Sequence, residues 1–221
     1  MKIKFQEKIV IQLGENPWIL IFLMFLELLF IILPGLISST VEKKPFKEVI
    51  LDMGFQKNDD ILIKIVTGFF IGSIFFLCSN YIILFFRDFI VRTVFSSEFV
   101  EQGQSGRIGT TPIQPNFIQI IILIILQITI IGPCEEAFFR GFLIKKIENR
   151  LKLHYSIIIS SIFFAFYHVP PFLVPITTII TFFGYYFTFG ILLSLLFVNF
   201  EYSLIPCSIA HSCFNIFILI V

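Results

Sequence analysis

The sequence predicts an all-α fold, a polytopic membrane helix bundle of about six transmembrane helices with one further helix lying in the interface. Three observations predict it. Hydrophobic residues make up 57% of the 221 positions and charged residues only 14%, and the mean hydropathy is +0.96, a balance outside the range of soluble domains. Apolar runs long enough to span a bilayer recur along the chain, separated by short polar stretches. The charges collect between these runs rather than within them, as the cost of burying charge in lipid requires.

The elements follow in chain order. Residues 1–16, with Lys2, Lys4 and Lys8 among Ile and Phe, resemble a short amphipathic arm. Trp18 to Ile37 forms the first span; it lacks a small-residue cleavage site and so reads as a retained helix rather than a signal peptide. Trp18 suits an interface anchor, and Pro34-Gly35 marks a break. Glu27, inside this span and outside any motif, is expected to make a polar contact to another helix rather than to do chemistry. Ser38 to Asp60 is an aqueous loop of mixed charge. That mixture, with a net charge of +1, speaks against a nucleic-acid partner. Ile61 to Phe86 is the second span, with Lys64 able to snorkel to the headgroups. From Arg87 to Val100 charged and large apolar residues interleave, the pattern of a helix in the interface plane. Glu101 to Asn116, carrying Gly103, Gly106, Gly109, Pro112 and Pro115, is the linker. Residues 1–116 are thus expected to form an N-terminal transmembrane pair with its interfacial helix and linker, and residues 117–221 a catalytic membrane core.

The core opens with Phe117 to Ile131 and continues through Gly132-Pro133 as a kinked or re-wound helix. The most basic short segment follows, with Lys145, Lys146, Arg150 and Lys152; by the positive-inside rule it faces the cytoplasm. Tyr155 to Val169 is the fourth span, ended by Pro170-Pro171, which places His168 in its last turn. Pro175 to Val198 and Tyr202 to Ile220 are the fifth and sixth, and six spans put both termini outside. The expected location is the cell membrane.

Ionisable residues beside or inside these runs carry the functional signal. Glu135, Glu136 and Arg140 stand at the end of an almost wholly apolar run, where charge must pair, face a wet cavity or do chemistry. Glu136 and Arg140 are four apart with the acid N-terminal, the favourable order for an ion pair on one helix face. Glu135 points about 100° away, free to act. His168, and His211 with Asn215 four residues on, lie in two other apolar runs. The cysteines Cys78, Cys134, Cys207 and Cys213 have neither disulfide-framework nor Cys-x-x-Cys spacing. Cys134 adjoins Glu135, but no base is near it in sequence.

Glu135-Glu136-x-x-x-Arg140, Phe164-x-x-x-His168 and His211-x-x-x-Asn215 together resemble the motifs, in order, of the CAAX-protease and bacteriocin-processing family of intramembrane, glutamic-type endopeptidases. The resemblance covers Phe117 to Val221. It implies that Glu135 draws a proton from water, that His168 orients this water or shares the base role, and that His211 and Asn215 donate to the oxyanion, with Glu136 and Arg140 as structural support. It implies a hydrophobic or prenylated peptide as substrate and the bilayer as setting, and no cofactor. Two alternatives stay open. Glu135, His168 and His211 are a plausible three-ligand zinc set with an open position for water, and the same residues could serve a non-enzymatic bacteriocin-immunity or transport protein. The sequence leaves the oligomeric state open.

Overall fold

A computed structural model describes residues 17–55, 59–107 and 115–220. The amphipathic arm read at 1–16 and the linker positions Gly109 and Pro112 lie outside them. The described residues form eight helices and no strand. They are α1 (Pro17–Glu42), α2 (46–55), α3 (Ile61–Val94), α4 (Ser97–Ser105), α5 (Phe117–Glu148), α6 (Leu153–His168), α7 (Ile176–Asn199) and α8 (Leu204–Ile220).

Four of these, α1, α3, α5 and α7, are long and apolar enough to cross a membrane, against the six spans read from the sequence. The other two, α6 and α8, are apolar helices of 16 and 17 residues. At 1.5 Å per residue they reach about 25 Å, somewhat less than the roughly 30 Å hydrocarbon layer. α6 ends at His168, two residues before Pro170-Pro171, and a reversal with positive φ at Glu201 and Tyr202 precedes α8. The large apolar side chains divide as a bilayer protein requires. Phe139 and Phe164 are in the core, while Phe22, Phe70, Phe163 and Leu77 point outward.

The stretch Arg87 to Val100, expected as one interfacial helix, is split. Arg87–Val94 prolongs α3 through a wide π turn at Phe85–Val91, and the chain breaks only at Phe95-Ser96, where Ser96 caps α4 by accepting from the Phe99 amide at 3.1 Å. Residues Glu101–Ser105, expected as linker, belong to that capped helix. Asn116 then opens α5 with a reciprocal capping box. Its side chain accepts from the Gln119 amide at 3.0 Å and the Gln119 side chain accepts from the Asn116 amide at 2.9 Å.

Close approaches set the helix directions. Gly68 lies on the backbone of Pro206 and Gly72 on that of Ala210, so α3 and α8 run parallel and in contact. α1 runs alongside α5, first turn to first turn. One end of the bundle therefore gathers the C-termini of α1 and α5, α2, and the start of α3. Lys146 pairs there with Glu42, Lys145 donates to the Asp52 carbonyl at 2.6 Å, and Tyr202 donates to Glu148 at 2.9 Å. The other end holds α4, Asn116, the C-termini of α6 and α8 and the start of α7.

Candidate active site

The site is built on a local irregularity of α5. The helix widens to π turns at Gln127–Ile131 and Ala137–Ile144, on either side of the ordinary turn Gly132–Glu136. Pro133 brings no amide proton, and the register shift lets the Gly132 amide reach the Gln127 carbonyl. Helicity is kept at Gly132, with φ −54° and ψ −55°, so the expected kink takes the form of two wide turns. Gly132 is also where α8 comes closest: a Cβ there would overlap Ser212 Oγ and lie 2.9 Å from the Ser208 carbonyl. Ser212 Oγ donates to the Gln127 carbonyl at 2.7 Å.

The re-wound segment presents both glutamates inward, Glu135 at 5% exposure and Glu136 at 0%. Glu136 Oε1 accepts from Arg140 Nη1 at 3.0 Å, the i, i+4 pair that the spacing predicts, and from His211 Nδ1 at 2.8 Å. Arg140, wholly buried, donates from Nη2 to the Gly190 carbonyl at 3.0 Å and lies 4.4 Å over the Phe164 ring. One carboxylate thus ties α5 to α8, and its arginine ties α5 to α6 and α7. A charge cluster this deep is tolerated only when so paired.

Glu135 is oriented differently. Its Oε2 has no hydrogen-bond partner among the described residues and lies 4.0 Å from His211 Nε2. His168, in the last turn of α6 as the prolines require, donates Nδ1–H to the Phe164 carbonyl at 3.0 Å and stacks on Tyr186. A carbonyl only accepts, so the proton is on Nδ1 and Nε2 is the nitrogen left for chemistry. The same reasoning gives His211 its Nδ1–H toward Glu136 and frees its Nε2. One ligand atom from each of Glu135, His168 and His211 falls within 4.8 Å of the other two. Three helices that are distant in sequence therefore converge on one point.

Asn215 stands one turn beyond His211 and donates Nδ2–H to Gln127 Oε1 at 3.1 Å, which leaves its second N–H available. His168, His211 and Asn215 line one wall of a cavity of about 340 Å³, whose remaining lining comes from α3, α7, α8 and Arg107 beyond the end of α4 and includes Ile83, Phe182, Tyr185, Phe189 and Phe214. His154, the third histidine, is exposed at the opposite end of α6. Cys134 is a buried free thiol.

Sequence reasoning missed Gln127, which positions both Ser212 and Asn215, and the Gly190 carbonyl that holds Arg140. The signal for Gln127 was present, since it is an amide within an otherwise apolar run eight residues before Glu135. A backbone carbonyl carries no such signal. Glu27 makes its expected contact to another helix, accepting from Tyr167 at 2.6 Å beside His168.

The donor set can be tested against zinc. Zinc bonds of about 2.0–2.2 Å hold tetrahedral ligand atoms roughly 3.4 Å from one another, whereas hydrogen bonds of about 2.8 Å to a central water oxygen spread them to roughly 4.6 Å. The 4.0 Å pair falls midway between the two spacings, and no pair exceeds 4.8 Å. A modest contraction would still admit a metal, with the Glu136–His211 hydrogen bond as the outer partner that metal-bound histidines usually have.

Residues 117–217 match the family model described as type II CAAX prenyl endopeptidase Rce1-like, and the match contains every residue of the cluster. No curated protein and no solved structure gives a significant match. Residues 117–217, which run from α5 into α8, are therefore similar to the Rce1-like type II CAAX prenyl endopeptidases, in a chain with four helices apolar enough to span a bilayer.

Proposed function

We propose that the chain is a multi-pass endopeptidase of the cell membrane that cleaves a hydrophobic or lipidated peptide with water activated by Glu135 and His168. The observation that carries this reading is the convergence of Glu135, His168 and His211 from three helices, with the two histidines lining a cavity that has aromatic walls. A water at that point donates one hydrogen to Glu135 and the other to His168 Nε2. As its oxygen adds to the scissile carbonyl, Glu135 takes the proton, the general-base step that needs a group within hydrogen-bond reach. The oxyanion accepts from the free N–H of Asn215 and from His211 Nε2–H. Donation from Nε2 while Nδ1–H is committed to Glu136 requires protons on both ring nitrogens, and the Glu136 carboxylate beside the ring supplies the countercharge. Glu135 then hands its proton to the leaving amine nitrogen. Glu136 and Arg140 touch no reacting atom and hold the geometry.

The matching family's description names a CAAX prenyl endopeptidase, and an aromatic-lined cavity beside the cluster suits a prenylated, apolar peptide. Turnover of a farnesylated and an unmodified hydrophobic peptide by the detergent-purified protein tests the proposal. Cleavage that disappears in Glu135→Gln supports it. A folded wild-type protein that cleaves neither peptide overturns it in favour of an immunity or transport role.

The zinc reading has its own supporting observation, the close grouping of the same three residues. In that case Glu135, His168 and His211 would hold the ion, which would supply an acidified water and polarise the carbonyl. Metal content of the active protein, and activity after exhaustive chelation, decide between the two. Activity that survives chelation supports the glutamate mechanism, and stoichiometric zinc whose removal abolishes turnover overturns it.

A further inference from the structure

The family match begins at Phe117, yet one ionisable group beside the cluster comes from the helix before it. Glu27 lies within the membrane-spanning part of α1, where a carboxylate is costly. The helix tightens to a 3₁₀ turn at Phe25–Leu28, and in such a turn side chains three residues apart fall in line. Glu27 is thereby aligned with Met24, which is buried in one cluster with Leu123 and Leu126 of α5, and with Phe30, whose ring lies 5.0 Å from Phe138. The same turn packs on Gly132–Glu136. The carboxylate is thus directed at the bundle.

Glu27 Oε1 accepts from the Tyr167 hydroxyl at 2.6 Å, while Oε2 is closed to solvent and has no hydrogen-bond partner among the described residues. Tyr167 stands in the final turn of α6, one residue before His168. The last carbonyls of a helix have no partner within it, and Pro170-Pro171 keeps this one from continuing. His168 bonds to the Phe164 carbonyl of its own helix, which fixes the ring on α6 but does not fix α6. Among the described residues the Tyr167–Glu27 bond is the one side-chain hydrogen bond from this turn to another helix. The Tyr167 ring also meets Phe30 edge-on at 5.1 Å and His168 edge-on at 5.2 Å.

We propose that Glu27 is a positioning residue of the active site, which through Tyr167 sets the last turn of α6 and so the placement of His168 Nε2 opposite Glu135. This rests on the endopeptidase reading above. The N-terminal span then supplies part of the catalytic geometry although it lies outside the matched residues. The role asks of residue 27 only an acceptor oxygen. Glutamine keeps one and alanine does not.

Turnover of the farnesylated peptide by purified variants tests the assignment. A displacement of about 1 Å lowers a rate by about 10²-fold, so Glu27→Ala and Tyr167→Phe should each lower kcat by roughly 10- to 100-fold with KM little changed. Both changes remove one bond, so the two together should lose no more than either alone. Glu27→Gln should stay within about threefold of wild type, because a neutral acceptor keeps most of a hydrogen bond's net contribution. Glu27→Leu with Tyr167→Phe replaces both partners by apolar groups, which should restore any unfolding temperature lost in the single variants while kcat stays low. Recovery of kcat together with stability overturns the proposal, because it gives the pair a role in folding alone. A loss in Glu27→Gln equal to that in Glu27→Ala also overturns it, because the charge and not the acceptor would then be what acts.

NMR of isotope-labelled histidine ring nitrogens reads the placement without turnover. The His168 signals, assigned by their absence in His168→Gln, should move in Tyr167→Phe and Glu27→Ala and stay near wild type in Glu27→Gln. Unmoved signals overturn the proposal. If wild type hydrolyses no peptide, the endopeptidase reading falls while these signals still decide whether Glu27 sets His168.

Discussion

Glu136→Gln is the most direct probe of how the site is held. Glu136 and Arg140 are both 0% exposed, so solvent does not screen their pairing. Glutamine is isosteric and Glu136 Oε2 makes no hydrogen bond among the described residues, so its NH₂ can take that place without a clash while Oε1 stays before Arg140 and His211. What is lost is the charge, and Arg140 becomes a buried cation without its carboxylate. Breaking a buried pair from one side costs about 3–5 kcal/mol. At about 2–4 °C per kcal/mol for a chain of this size, thermal unfolding in detergent should fall by roughly 6–20 °C. Replacing both partners, as Glu136→Gln with Arg140→Met, removes the orphaned charge and should regain much of that loss. Because Glu135 Oε2 makes no hydrogen bond among the described residues, Glu135→Gln should keep the wild-type unfolding temperature and lose turnover. The reasoning fails if Glu136→Gln unfolds within about 2 °C of wild type, less than the smallest shift these costs allow, or if the double variant is no more stable than the single one.

Three further outcomes follow from the geometry. Asn215→Ala should lower kcat on the order of 10²-fold with little change in unfolding temperature, as loss of one oxyanion donor does; an effect below about threefold, near 0.6 kcal/mol, would remove Asn215 from that role. Gly132→Ala should destabilise the protein by about 1–3 kcal/mol, because the added methyl overlaps Ser212 at the α5–α8 contact, and Gly132→Ala with Ser212→Gly should recover stability in a thermal scan. A cysteine at Lys146 should be protected from an impermeant thiol reagent in intact cells and one at Phe172 labelled. Lys43, Lys44, Lys47, Lys145, Lys146, Arg150 and Lys152 gather at one end of the bundle, against Arg87, Arg92 and Arg107 among the described residues at the other, so the positive-inside rule predicts that the first end faces the cytoplasm. The reverse labelling pattern would move the cavity mouth to the cytoplasmic face.

The all-α membrane fold was legible in composition and run length, because a chain with this much apolar surface and so few charges can satisfy its backbone in lipid only as helices or a closed barrel. The Glu136–Arg140 pair was legible too, since a four-residue separation on one helix fixes neighbours whatever surrounds them. So was the placement of His168 at a helix end, through Pro170-Pro171. Helix ends set by local breaks were less so. Ser96 caps a helix inside what reads as one interfacial segment, and the last apolar run, Tyr202 to Ile220, is longer than the helix α8 that it forms. Only the tertiary structure decided that Glu136 serves two partners at once, that Gln127 holds Asn215, and that Arg107 shares a cavity with His168. Those relations join residues 75 to 88 positions apart in the hydrogen bonds, on different helices. Sequence periodicity specifies which face of a helix is polar, but the contact between two faces depends on packing distances set by Gly132, Gly72 and Gly68, and these appear only when the helices are brought together.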